Sequence, residues 1–496
     1  MPVTLALRLL GSAGLLGVLG NWLLRAEPWG LNVFAGTTAL TILAAGLVPS
    51  ERSGAGNARR LLLLPPFFAG AVALRDAGLL SFWNLLAVAG TLILPVLATG
   101  SVRLVTGRFL DYLLGAITTG VRTALGPLQL IATDVPWNEV IGRARGHRLT
   151  AVALGLVLAA PLLLVFGSLL VFADAGFERL VLPVFDRYLA ELLPHVLGIG
   201  FVSWVSAGYL MAILVGVREP TTAWTSRLRP ALGAVELGIP LGGLVLLFSV
   251  FVTMQASYVF GGQDLIRETA NLGYAEYARR GFFELVAVAV LVLPVLLGAD
   301  LVADESDSTV RRVVRGLSAT LLLLVALIMV SALHRMRLYT EAYGLTQDRA
   351  YATGVLLWAA IAIVWFAVTV LRRRAERFFF GAMVSALAVL TLLNVLNVDA
   401  MVVRTNIARA QAGAEFDAQY LASLSADATP ALVQALPNLP DESACILLEA
   451  LAPEEGPPED LDWRTWHLSR LRAGHATTGL GATRASRCAQ QNGTPP

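Results

Sequence analysis

GFFELVAVAVLVLPVLLGAD, residues 281–300, decides the fold class. Between Glu284 and Asp300 no side chain carries a charge, an amide or a hydroxyl. A helix rises about 1.5 Å per residue, so twenty residues cover roughly the 30 Å of a bilayer's hydrocarbon core. Nothing in that core hydrogen-bonds an exposed backbone, so a crossing segment of this kind has to be helical. The same reading extends to ten further stretches, at 5–24, 31–49, 61–76, 78–100, 149–172, 194–217, 234–256, 316–334, 350–371 and 378–397. The weakest is 61–76, which is short, holds Pro65 and Pro66, and ends on Arg75 and Asp76. A re-entrant or tilted segment is the alternative there. The run 5–24 has no small-x-small cleavage site before Arg25 and reads as a retained helix rather than a removed signal peptide. Its glycines at 11, 14, 17 and 20 suit close helix packing.

Composition agrees. Of 496 residues, 56% are hydrophobic and 15% are charged, against about 25% charged in a soluble domain. The mean hydropathy is +0.69. The expected fold is therefore all-α: a polytopic transmembrane bundle of about eleven spans, ten to twelve in range, with a small soluble helical module at the C-terminus. The expected division is 1–100 (four helices), 101–148 (an amphipathic segment at the cytoplasmic interface), 149–397 (seven helices), 398–474 (an extracytoplasmic helical module) and 475–496 (disordered). In 101–148 apolar residues alternate with arginines, which suits helices resting on headgroups; packing beneath the bundle is the alternative.

Arginine sets the expected orientation. All 37 basic residues are arginines. The even-numbered loops hold 19 of them, among them Arg59, Arg60, Arg103, Arg108, Arg122 and the set at 372–377, and the odd-numbered loops hold 10. Positive loops stay in the cytoplasm. The N-terminus is then expected inside and the tail outside, in a bacterial cytoplasmic membrane, with the lipid bilayer as first partner. A net charge of only +2 argues against a nucleic-acid partner.

Signatures of chemistry are sparse. Without lysine there is no phosphate-binding loop ending in Lys-Ser/Thr, and there is no His-Glu-x-x-His pair or nucleophile elbow. The five histidines stand far apart, so no metal and no cofactor is expected, and no catalytic residue is nominated. Polar residues gather instead where spans meet the outer face: Arg280 and Glu284 before one helix; His334, Arg337, Glu341 and Tyr343 after another; Asn394, Asn397 and Arg404 after the last. Ionisable groups at such depth avoid lipid, so these nine residues are expected to form one polar vestibule. It would be either an internal network or a site for an anionic or lipid-linked ligand.

Residues 397–496 hold 12 acids and 7 arginines, an acidic tail suited to an envelope protein partner. Cys445 and Cys488 are the two cysteines; an oxidising envelope would pair them, and two free thiols are the alternative. Several segments resemble a family: YAEYARRGFFEL at 274–285, RLYTEAYGLT at 337–346, NVDAMVVRTNIAR at 397–409, YLASLS at 420–425 and DWRTWHLSR at 462–470. They are similar to an uncharacterised bacterial family of multi-pass membrane proteins, the kind grouped as domains of unknown function 4173 and 4153. The resemblance implies a membrane protein of the bacterial envelope and no particular activity. The function expected is a non-enzymatic scaffold or sensor, with a transporter or channel for a small or anionic solute as the alternative. An enzyme acting on a lipid-linked substrate is a second alternative.

Overall fold

The computed structural model describes residues 2–51, 54–100, 102–135, 192–216, 232–270, 282–304, 306–452 and 462–489, with scattered positions between 152 and 174. Arg280, the expected interfacial segment beyond 135, and all but isolated positions of the span at 149–172 lie outside the described residues.

The described residues form an all-α bundle, with one isolated bridge between Leu232 and Ala303. The first hairpin is α1 (Val3–Leu24) and α2 (Leu31–Leu47). Asn32, fully buried, closes its turn: Oδ1 accepts from the Gly30 and Val33 amides, and Nδ2 donates to the Leu23 and Ala26 carbonyls. Around the third expected span, 61–76, the chain forms two helices, α3 (Ala55–Leu61) before it and α4 (Leu64–Leu74) within it. Pro65 and Pro66 break it, because proline lacks the amide that would continue the ladder and suits a first helical turn instead. Gly54, before α3, lies against the Ala98 carbonyl, while Leu74 meets Ser469 of the tail. The pair therefore runs from one end of the bundle to the other.

The chain returns through α5 (Gly78–Ala98). α6 (Phe109–Gln129) lies across the end of the bundle away from the tail: Tyr112 stacks on Phe379, Gly115 faces Leu97 and Gly126 faces Met211. Its other face exposes Phe109, Leu113, Ile117, Val121 and Leu125, four residues apart. There follow α7 (Leu192–Val215), α8 (Ala234–Ala270), α9 (Phe282–Val302), α10 (Ser308–Tyr343), α11 (Gln347–Thr369) and α12 (Phe378–Leu396). Eight helices among the described residues are long and apolar enough to cross a membrane: α1, α5 and α7 to α12. α2, at 17 residues, is shorter.

Among the described residues, two large apolar clusters hold the bundle, with a smaller one where α2, α4 and α5 meet. α1 packs on α7 beside α2 and α5, and α8 packs on α10 beside α9 and α11. Gly17 of α1 has no room for a side chain, since a Cβ there would fall 2.7 Å from the Ile199 carbonyl oxygen. α12 joins the two halves, packing on α11 and touching α5. There Asn84 and Asn394 exchange amide hydrogen bonds of 2.9 Å in both directions.

Among the described residues, six α-helices form the tail: α13 (Val398–Gln411), α14 (Ala418–Ala422), α15 (Thr429–Ala435), α16 (Asp441–Leu451), α17 (Leu468–Thr477) and α18 (Leu480–Ala489). Asn397 makes the break between α12 and α13. Its φ of 50° is a left-handed conformation that asparagine tolerates, and its side chain caps α13 by accepting from Ala400 N. The tail core is continuous with the membrane helices, because Ala77, Leu80, Ala350 and Tyr351 pack among Val402, Leu432 and Leu448. Residues 475–489, expected to be disordered, include α18. Its Cys488 is bonded to Cys445 of α16, and Arg487 binds Asp441 and the Leu436 carbonyl. The cross-link and the arginine give a short polar helix the anchorage that its composition does not announce.

Candidate functional site

Among the described residues, three helix-connecting turns reach the tail, and the tail fastens each one. At the α4–α5 turn the centre is Asp427, between α14 and α15. Its Oδ1 accepts from Arg75 Nη1 at 3.1 Å, and its Oδ2 accepts from the backbone amides of Asp76 and Ala77 at 2.8 and 3.1 Å. Ser469 Oγ of α17 lies between Asp427 Oδ1 and the Leu74 carbonyl. Arg75 also donates to the Asn394 carbonyl at 2.7 Å, where α12 ends. Asp76 takes an ion pair from Arg470 at 2.8 Å. The Asp427 side chain is 2% exposed and that of Arg75 15%. A buried pair of this kind persists only where its remaining polar atoms are also bonded.

The second turn, 344–346, joins α10 to α11. Asn406 of α13 accepts from the Leu345 amide and donates to its carbonyl. Arg409 donates to the Glu341 and Ala342 carbonyls at 2.8 and 3.0 Å, binding the end of α10 where carbonyls lack helical partners. Nearby, Asp399 accepts from Gln347 Nε2 and Ser425 Oγ, and Tyr420 Oη accepts from the Gln347 amide. Burial raises the Tyr420 pKa above its ordinary value. At the third turn, between α1 and α2, the Leu31 amide donates to the Trp466 carbonyl. Arg464 reaches the Trp22 carbonyl, and the Trp22 and Trp463 rings pack 5.5 Å apart. His467 is buried there, and among the described residues neither ring nitrogen meets hydrogen-bond geometry with a partner. Burial, and then Arg470, hold its pKa below the usual histidine value.

Beside Asp427 opens a cleft of about 180 Å³, lined by Arg75, Arg404, Asp427, Gln434, Ser469 and Arg472 among others. A separate polar cluster lies between α8 and α10, where Gln255 Oε1 accepts from Ser331 at 2.5 Å and from Arg335 at 2.9 Å.

The residues nominated from sequence divide rather than converge. Asn394, Asn397 and Arg404 meet at the α4–α5 turn with Arg75 and Asp427. Glu341 and Tyr343 belong to the second turn, through the Glu341 carbonyl and the packing of Tyr343 on Tyr339. Glu284, His334 and Arg337 are exposed. Among the described residues, the nominated side chains therefore lie in separate places. The reason is that α10 does not stop at 334 but stays helical to Tyr343. His334, Arg337 and Glu341 then fall three and four residues apart on one outward face. The residues that sequence reading missed are Arg75, Asp427, Ser469 and Arg472. Arg75 and Asp76 at a span end were the available signal, and nothing in the sequence pointed to Asp427. Glu449 lies near Cys445 and Cys488, but sulfurs bonded to each other have no thiolate to offer a metal.

Membrane-length helices, closed at one end by a module keyed into their turns, define a polytopic integral membrane protein. The chain belongs to the family described as domain of unknown function DUF4153, whose match covers residues 63–435. No curated protein and no solved structure matches it. The matched region contains Arg75, Asn394, Arg404 and Asp427, and it ends before Ser469.

Proposed function

We propose that the protein is a scaffold or sensor in a bacterial cytoplasmic membrane, with its N-terminus in the cytoplasm and its tail outside. The observation that carries this reading is the three-turn clamp. A module bonded to the α1–α2, α4–α5 and α10–α11 turns transmits any load on the tail to both halves of the bundle. Exposed Glu415, Asp417, Glu442 and Glu449 give the tail acidic surface positions that suit a basic envelope protein. The orientation is supported by Arg59, Arg103, Arg108 and 372–377, which sit at the end away from the tail and would face the cytoplasm. The Cys445–Cys488 bond suits an oxidising compartment.

The test is a photo-crosslinker placed at Glu415 in living cells. The scaffold reading expects one dominant adduct, lost on Glu442→Arg with Glu449→Arg. Adducts to lipid alone, or adducts indifferent to those charges, argue against it. Transport is a second reading, favoured by the buried Gln255, Ser331 and Arg335. Loss of solute uptake in Arg335→Gln, with the protein at normal abundance, would favour transport instead.

A further inference from the structure

We propose that the cleft beside Asp427 binds a phosphate group. Two of its arginines are uncommitted. Arg404 from α13 and Arg472 from α17 are exposed and have no hydrogen bond or ion pair among the described residues, although both line the same cleft. Asp427 does not neutralise them. Its oxygens are taken by Arg75, two backbone amides and Ser469, so that pair is closed within itself. The lining then carries a formal charge of +2 from three arginines and one aspartate. Like charges brought to one cleft repel, and a bound anion offsets that repulsion.

Two guanidinium forks from different helices suit a tetrahedral oxyanion, since each donates parallel N–H bonds to a pair of oxygens. The exposed Gln434 amide on α15 adds a neutral donor at the rim. A volume of about 180 Å³ is smaller than the roughly 300–1,000 Å³ of drug-sized sites. It has room for a phosphate group. Asn397, where α12 ends, lines the same cleft as Arg404, so the cleft opens beside the end of a membrane-length helix, where headgroups would lie. The phosphate therefore arrives either on a lipid headgroup or free in solution. The site stands apart from the scaffold reading, because binding tests this one and cross-linking tests the other.

The experiment uses the full-length chain in a phosphate-free maltoside detergent. Inorganic phosphate, and separately a short-chain phosphatidylglycerol, are titrated while amide exchange is followed in α13 and α17. Saturable protection is expected. Protection by inorganic phosphate assigns a soluble ligand, and protection by phosphatidylglycerol alone assigns a lipid headgroup. In Arg404→Gln with Arg472→Gln the apparent affinity should fall about a hundredfold, roughly tenfold per arginine, while exchange in α15 is unchanged. If the double variant fails to fold, Arg472→Gln alone carries the test with a loss of about tenfold. An equal response to chloride at matched ionic strength overturns the proposal. So does no response to either probe, or a variant that binds like the parent.

Discussion

Asp427→Ala removes the acceptor on which the tail closes over the α4–α5 turn. Arg75 keeps the Asn394 and Val395 carbonyls but loses its countercharge, and the amides of Asp76 and Ala77 lose their shared oxygen. Taking one partner from a buried ion pair costs about 3–5 kcal/mol. The orphaned amides, at about 1–3 kcal/mol each when left unpaired, are part of that same loss once water reaches them. At 1.4 kcal/mol per factor of ten, the tail should open locally roughly 150- to 4,000-fold more often. Native-state hydrogen exchange in nanodiscs reads this directly for α14 and α15, because local opening needs no global unfolding. Adding Arg75→Met removes the stranded charge, so the double variant should lose less than the sum of the two singles. Unchanged exchange in α15 would refute the reasoning, as would loss of protection spread evenly through α8 to α11.

Gly208→Ala would place a Cβ 1.9 Å from the Thr123 carbonyl oxygen of α6. Backbone at that crossing cannot give way, so a loss of about 1–3 kcal/mol is expected, read as a lower Tm. Gly200→Ala, with nothing within 4 Å, should leave Tm unchanged or raise it. Acidification should loosen the 463–467 segment. The docked His467 has a lowered pKa, so the undocked form binds the proton more readily. Docking is then at full strength above about pH 6.5 and weakens as pH falls through that value toward the docked pKa. Exchange corrected for its intrinsic pH dependence should show this, and His467→Leu should flatten it; tighter docking in acid would contradict it. Cys488→Ser opens a cross-link 43 residues apart in sequence, worth about 4 kcal/mol by chain-entropy arithmetic. α18 should become the first site of proteolysis.

The bundle was legible because a bilayer leaves so few choices. Runs such as 281–300 must be helices, and their ends follow from where polar residues resume. The prolines at 65 and 66 marked the break in the third segment, though not that α3 and α4 together run the full length of the bundle. The end of α10 was misjudged for a physical reason. Hydropathy reports where the apolar surface stops, and the hydrogen-bond ladder continued for nine more residues to Tyr343. Grouping side chains by depth alone also joined residues that lie apart, since depth along a helix says nothing about direction around it. Asn397 and Arg404 were found because they follow the last span directly. Their partners Arg75 and Asp427 are 352 residues apart, and no local pattern joins them. The disulfide's two cysteines were visible, but the helix around Cys488 was not. Its sequence is short and polar, and its anchorage comes from α16.

The central claim is that the tail is docked on the turns of the N-terminal helices. Trp22 and Trp463, whose rings lie 5.5 Å apart, test it most directly. With both replaced by cysteine and the native pair left bonded, a short bis-maleimide should join positions 22 and 463 in native membranes. Mass spectrometry should recover the linked peptide as the main product. Recovery of the two sites on separate, singly modified peptides, with the protein at normal abundance, would contradict the account.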